Sequence, residues 1–201
     1  MKAVLVAKNG IEIIDVQIPE PKSNEVLVKV FACGLNRADL MVADGGVHGS
    51  SGGSGTIVGM EFSGEVINFG SDVNGLSIGD RVMCSGSSAW AEFAVADWGR
   101  VIKIPDNNMD FNTACTYPIA LGTMHNAIIT TGQFTKGQSI LIQGASSGVG
   151  IMGLQIAKYM EAKTIIGTST KSEKHDKLKQ MGANIILNSK DPNWVEEVLE
   201  L

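Results

Sequence analysis

The sequence predicts an α/β plus β protein of two textures: a β-rich front that closes as a sandwich or barrel, then an α/β back built on a parallel sheet. Three observations carry this expectation. Up to about residue 105 the chain breaks into short apolar runs separated by turn residues, the pattern of an all-β domain. After Pro105, strand-like and helix-like runs alternate, as a parallel sheet demands, because its neighbouring strands need long crossover connections. Glycine is in excess, at 24 of 201 residues, with no low complexity to explain it. Such an excess signals tight turns and close approach of backbone to a ligand.

In the front, residues 2–7 (KAVLVA) and 11–17 (IEIIDVQ) flank Asn9-Gly10, a dipeptide that favours a two-residue hairpin turn. PEPKSNE is a Pro-rich turn, and VLVKVFACG from Val26 is the next strand. The Gly- and Ser-rich run at 45–55 reads as a surface loop within the domain, since the strand pattern continues on both sides. GMEFSGEVINFG (59–70) alternates between bounding glycines. Ser77-Ile78-Gly79-Asp80 turns into RVMCSG, and WAEFAVA is a further strand.

In the back, FNTACTYPIALGTMHNAII reads as two short helices interrupted by Pro118. QSILIQG is a β-branched strand, followed by a glycine-rich turn and the amphipathic helix GIMGLQIAKYMEA. TIIGTS is a second buried strand, and KSEKHDKLKQMG is a charged helix closed by Gly182. NIILN is a third strand, and DPNWVEEVLEL opens a helix with Asp191 as N-cap and Pro192 in its first turn. The order is βαβαβα.

Composition removes several function classes. With 44% hydrophobic residues the chain buries a core, and the net charge of −5 with no basic stripe argues against nucleic-acid binding. No run approaches the roughly 18 apolar residues that span a bilayer. The start, MKAVLVAKNG, lacks the apolar region and cleavage site of a secretory leader. Three cysteines, Cys33, Cys84 and Cys115, share no CxxC spacing, which argues against a disulfide scaffold or a zinc cluster. Cys84 and Cys115 read as core residues, His125 as a packed histidine on an apolar helix, and His175 as helix surface.

The strongest chemical signal is Gln143-Gly144-Ala145-Ser146-Ser147-Gly148-Val149-Gly150, between a strand and a helix. Small residues here let the backbone turn tightly against a pyrophosphate, and the helix N-terminus offers free N–H groups and its positive dipole end. Ala145, Ser146, Ser147, Gly148, Val149 and Gly150 are therefore the candidate phosphate cradle. NAD sites usually carry an acid roughly 20 residues beyond the glycines. Here Gly167-Thr168-Ser169-Thr170-Lys171-Ser172 stands instead. Thr168, Ser169 and Lys171 can hold a 2′-phosphate by charge-assisted bonds where no carboxylate repels it. The expected cofactor is NADPH.

With these motifs the chain resembles the N-terminal part of the medium-chain dehydrogenase/reductase superfamily, in its zinc-free quinone oxidoreductase branch. The matching runs are Cys33-Gly34-Leu35-Asn36-Arg37-Ala38-Asp39, Gly59-Met60-Glu61-Phe62-Ser63-Gly64-Glu65-Val66, Gly79-Asp80-Arg81-Val82, Ala91-Glu92-Phe93, Leu121-Gly122-Thr123 and the glycine motif. The resemblance implies a GroES-like β-barrel domain, incomplete, over residues 1–120. It further implies the first half of an NADP-binding Rossmann domain, a doubly wound parallel sheet, over 121–201, with the nicotinamide in the cleft between the two. Zinc-dependent relatives place ligands where this chain has Asn36, Met60 and about Ile119. An amide, a thioether and an alkyl group do not make a zinc site, so no catalytic metal is expected.

Without a Lewis acid, the chemistry implied by the resemblance is hydride transfer to an acceptor that needs little activation, a quinone or an α,β-unsaturated carbonyl. Asn36 and Thr123 would hold nicotinamide or substrate. Ser189 stands where relatives place a tyrosine near the cofactor, and Val47-His48 where they place a loop tyrosine; His48 reads as an exposed loop histidine. A cytoplasmic homodimer is implied.

Relatives run well beyond 201 residues, so the expectation is either a fragment or a sheet completed by another chain, with strand QSILIQG at an exposed edge and weak or no turnover from these residues alone. Two rival functions are a non-catalytic NADP(H)-binding structural or regulatory protein and a zinc alcohol dehydrogenase, the second opposed by the missing ligands.

Overall fold

The computed structural model describes residues 1–8, 10–49, 51–105 and 108–201, and it divides into two compact units, Met1–Ile119 and Ala120–Leu201. The first unit opens with an antiparallel hairpin of β1 (Lys2–Ala7) and β2 (Gly10–Asp15), with Ala7 opposite Gly10. Asn9, half of the turn dipeptide read from the sequence, lies outside the described residues. β3 (Glu25–Cys33) is followed by helix α1 (Arg37–Ala43) and a small hairpin, β4 (Val47–His48) with β5 (Ser51–Gly52). That hairpin corrects the sequence expectation of a plain loop at 45–55. Gly52 and Gly53 take positive φ there, which glycine adopts without a steric cost.

The main sheet adds β6 (Glu61–Phe69), β7 (Arg81–Ser85), β8 (Phe93–Asp97) and β9 (Val101–Lys103), in the order β8-β3-β6-β7-β9, all antiparallel. β3 bulges between Val30 and Ala32 against β6, which bends the strand and increases its twist. Gly64 of β6 sits under that bend, where a side chain would run into the Lys29 carbonyl. The core is Val26, Val28, Phe62, Val66, Val82, Cys84, Ala94 and Ala96. α2 (Phe111–Ala114) then packs on β3 and β6, capped by Asp110, whose carboxylate accepts from Thr113 N–H at 2.7 Å.

α3 (Pro118–His125) starts at the proline that separates it from α2 and continues as a π-helical turn, Asn126–Thr131. Pro at a first helical position costs nothing, because its missing N–H has no intrahelical partner. The second unit is a parallel sheet of β10 (Ser139–Ile142), β11 (Thr164–Thr168) and β12 (Ile185–Leu187) in that order. α4 (Gly148–Tyr159) packs on β10 and β11, and α5 (His175–Gln180) packs on β12. Leu154, Ala157, Ile165 and Leu178 form the centre of its core. α6 (Trp194–Leu199) starts later than the sequence predicts: Asn193 is its N-cap, and the Asp191 carboxylate accepts from Asn193 N–H at 2.9 Å. Asp191 therefore makes an Asx-type turn ahead of the helix rather than capping it. Among the described residues no helix is long and apolar enough to cross a membrane.

Candidate cofactor and substrate site

The glycine motif forms the bend from β10 into α4. Gly144 sits at φ +63°, and its N–H donates to Thr168 Oγ1 at 3.1 Å, while Ala145 N–H donates to the Thr168 carbonyl at 2.9 Å. Thr168 is thus the peg that shapes the bend, and at 2% exposure its hydroxyl is turned inward. Ser147 is the N-cap of α4: its Oγ accepts from Gly150 N–H at 3.0 Å and donates to the Gly144 carbonyl at 2.9 Å.

Two glycines in this bend have opposite surroundings. A Cβ on Gly150 would meet the Gly144 carbonyl oxygen and, at 2.7 Å, Ala145 Cα, whereas one on Gly148 would meet open space. Gly150 is needed for packing; Gly148 leaves the concave side of the bend bare. With Gly150 capped by Ser147, the first-turn amides of Gly148 and Val149 have no acceptor among the described residues. Unpaired donors at the positive end of a helix, at a bare backbone surface, form an anion cradle. Ser147 and Gly148 are exposed, Ser146 and Val149 half-buried, and Ala145 buried beneath. The residues present fit the diphosphate of a dinucleotide.

At the end of β11 the geometry divides the predicted residues. Ser169 is 2% exposed, and its Oγ accepts from Lys171 N–H at 3.2 Å. Its hydroxyl orders the turn, as that of Thr168 orders the bend, so these two shape the site rather than present hydroxyls to solvent. Lys171 is exposed, with no ion pair among the described residues, and Ser189 is half-buried.

In the first unit, Asn36 precedes α1 and is held from two sides. Its N–H donates to Asp39 Oδ2 at 2.7 Å, and its Nδ2 donates to Glu61 Oε1 at 2.8 Å. Glu61 Oε2 accepts from Ile119 N–H at 2.9 Å. Burial pushes the Glu61 carboxyl above the usual carboxylate range, opposed by those two hydrogen bonds, with the nearby Asp39 charge pushing the same way as burial. Asp39, 1% exposed, is also raised by burial, and its Oδ1 has no hydrogen-bond partner among the described residues. Burial likewise raises the thiols of Cys33, Cys84 and Cys115, the last to about 11, so none is a reactive thiolate at neutral pH. Cys84 and Cys115 are buried, as the sequence reading holds. His48 is exposed, and its charge helps to lower the Asp39 carboxyl.

Thr123, in the second unit, is exposed in the middle of α3. His125 is exposed at the end of α3, against the expectation of a packed residue, because that helix has no consistently apolar face. His175 departs the other way: it is half-buried at the start of α5, with Nε2 enclosed and without a hydrogen-bond partner among the described residues. Sequence reasoning missed Glu61 and the structural task of Thr168. No spacing ties residue 36 to residue 61; the available signal was an acid at the head of a predicted strand.

The alcohol dehydrogenase GroES-like domain family matches residues 22–106, and the zinc-binding dehydrogenase family matches 148–201. The human synaptic vesicle membrane protein VAT-1 homolog-like is 32% identical over 203 residues, covering 98% of this chain and 47% of that protein. Human quinone oxidoreductase is 31% identical over 186 residues, covering 92% of this chain and 56% of that protein. Among solved structures, mycobacterial Rv1454c complexed with NADPH superposes with a TM-score of 0.84 at 26% identity, covering 100% of this chain and 63% of that one. The chain spans about half the length of these two relatives.

Proposed function

The chain belongs to the medium-chain dehydrogenase/reductase superfamily, in its quinone oxidoreductase branch, and from that membership we propose that it binds NADPH and serves the reduction of quinones or α,β-unsaturated carbonyls. The observation that carries the reading is the β10–α4 bend, with two free amides over a glycine that bears no side chain. NADPH, when bound, supplies a hydride. The chain's own contribution is position and charge.

Gly148 and Val149 donate to the diphosphate, with Ala145, Ser146, Ser147 and Gly150 setting the curve that lets them reach it. Lys171 provides the cation for the 2′-phosphate, on a turn that Ser169 fixes through its hydroxyl, and Ser189 is a smaller polar contact nearby. Thr168 holds the bend in shape. Asn36 and Thr123 orient nicotinamide or substrate by hydrogen bonds. Neither is a proton donor of useful strength, so hydride acceptance rests on an acceptor that is already electron-poor.

Zinc does not fit this reading. Asn36, Met60 and Ile119 supply no N/S/O set of the kind zinc prefers, and among the described residues no three His, Cys, Asp or Glu side chains gather as a metal site. We extend the proposal to a cytoplasmic homodimer, checked by sedimentation and by cell fractionation.

The testing experiment follows the near-ultraviolet absorbance of NADPH with a panel of quinones and enones. Acceptor-dependent loss of absorbance supports the reading. Saturable NADPH binding with no oxidation by any acceptor favours the non-catalytic binding protein, and a chain that does not bind NADPH overturns the reading.

A further inference from the structure

Glu61 begins β6 and is 4% exposed. Its two carboxylate oxygens accept from two separate segments, Oε1 from the Asn36 side chain at 2.8 Å and Oε2 from the Ile119 backbone at 2.9 Å. No cation pairs with it among the described residues. A buried carboxylate without a counter-charge opposes folding unless hydrogen bonds compensate it, so this group is held at a cost that an apolar side chain would avoid.

The surrounding backbone is shaped to admit it. Gly34 N–H donates to the Glu61 carbonyl at 3.1 Å, and any side chain on Gly34 would collide with the Glu61 carboxylate and come within 2.7 Å of the Cys115 carbonyl. Asp39 holds the backbone of Asn36, and Glu61 holds its side chain. An Asn carboxamide has a donor edge and an acceptor edge that differ by a half-turn about one bond. A carboxylate can only accept, so it selects the orientation that presents NH2.

We propose that Glu61 is a positioning residue: it fixes the rotamer of the Asn36 carboxamide by holding its NH2 edge toward the Glu61 carboxylate. The inference rests on the proposed function for the role of Asn36 in catalysis, but not for the clamp itself. Glu61→Gln keeps the shape and replaces one acceptor oxygen by a donor NH2, so either Asn36 or Ile119 N–H loses its acceptor.

The test is a double-mutant cycle with Asn36→Ala and Glu61→Gln in the full chain, read by NADPH oxidation and by the Asn36 carboxamide resonance, identified by its loss in Asn36→Ala. We expect Glu61→Gln alone to lower kcat by about tenfold or more with little change in acceptor KM, and to have almost no further effect on kcat when Asn36 is already Ala. The carboxamide resonance shifts in the Glu61→Gln chain. Additive losses, or an unmoved resonance, overturn the proposal. Should the Gln variant fail to fold, the wild-type resonance decides: one Asn36 amide proton exchanges at least about tenfold more slowly than in an unstructured Asn if the clamp exists, and at the unstructured rate if it does not. A chain that binds no NADPH defeats the proposed function while leaving the resonance to judge the clamp, and one that binds without oxidising leaves the clamp to the resonance alone.

Discussion

Gly148 and Gly150 differ by two positions and by opposite surroundings, and they separate folding from binding. Gly150→Ala pushes a methyl into the Gly144–Ala145 backbone and is expected to destabilise the second unit by about 1–3 kcal/mol in urea denaturation. Gly148→Ala has room, so its stability holds while NADPH affinity falls by about tenfold or more in a binding titration. Equal stability losses for the two would remove the cradle from the account. The buried acids give a pH signature. Burial holds Asp39 and Glu61 above the usual carboxylate range, so between that range and the raised values the folded chain binds more protons than the unfolded one. Their contribution to stability therefore falls as pH rises through that window. Asp39→Asn removes one such group, so its stability relative to wild type improves with rising pH across the window; a pH-independent difference in urea midpoints contradicts this. At this scale the sequence showed the glycines and Asn36. It concealed that the hydroxyls of Thr168 and Ser169 face inward, because a strand-end Thr or Ser reads the same whether it bonds a ligand or its own backbone.

α4 depends on its cap. Ser147 holds Gly150 N–H and the Gly144 carbonyl at once, so Ser147→Ala is expected to cost about 1 kcal/mol in urea denaturation. A null effect on stability would mean that the cap is replaceable and the bend less rigid than its hydrogen bonds imply. Elements with a strong period were legible: β1, β3, β6, β10, β11 and α4 stand where apolar spacing puts them. Those that escaped are short. α1 has seven residues, with Leu40 and Met41 exposed and chiefly Val42 facing the core, so its sequence lacks a clear helical stripe. β9 has three residues and β4 and β5 two each, too few for alternation to appear. α6 shifted because Asp191 has two uses, an Asx turn or a cap, and only the local backbone chooses between them.

For the molecule as a whole, β-rich and parallel textures were visible because turn spacing and strand–helix alternation are long-range patterns. The Asn36–Glu61–Ile119 hydrogen bonds were invisible because they join segments far apart in sequence. Cofactor choice belongs to this scale, since it combines the bend with the end of β11. Lys171→Glu is expected to weaken NADPH by about tenfold or more and NADH far less; equal losses would remove the 2′-phosphate from Lys171. The account stands on the diphosphate lying against the start of α4. Titrating the isotopically labelled chain with NADPH and following its backbone amides tests this most directly. The account predicts saturable shifts of the Gly148 and Val149 amides at one NADPH per chain, and saturation that leaves both amides unmoved would contradict it.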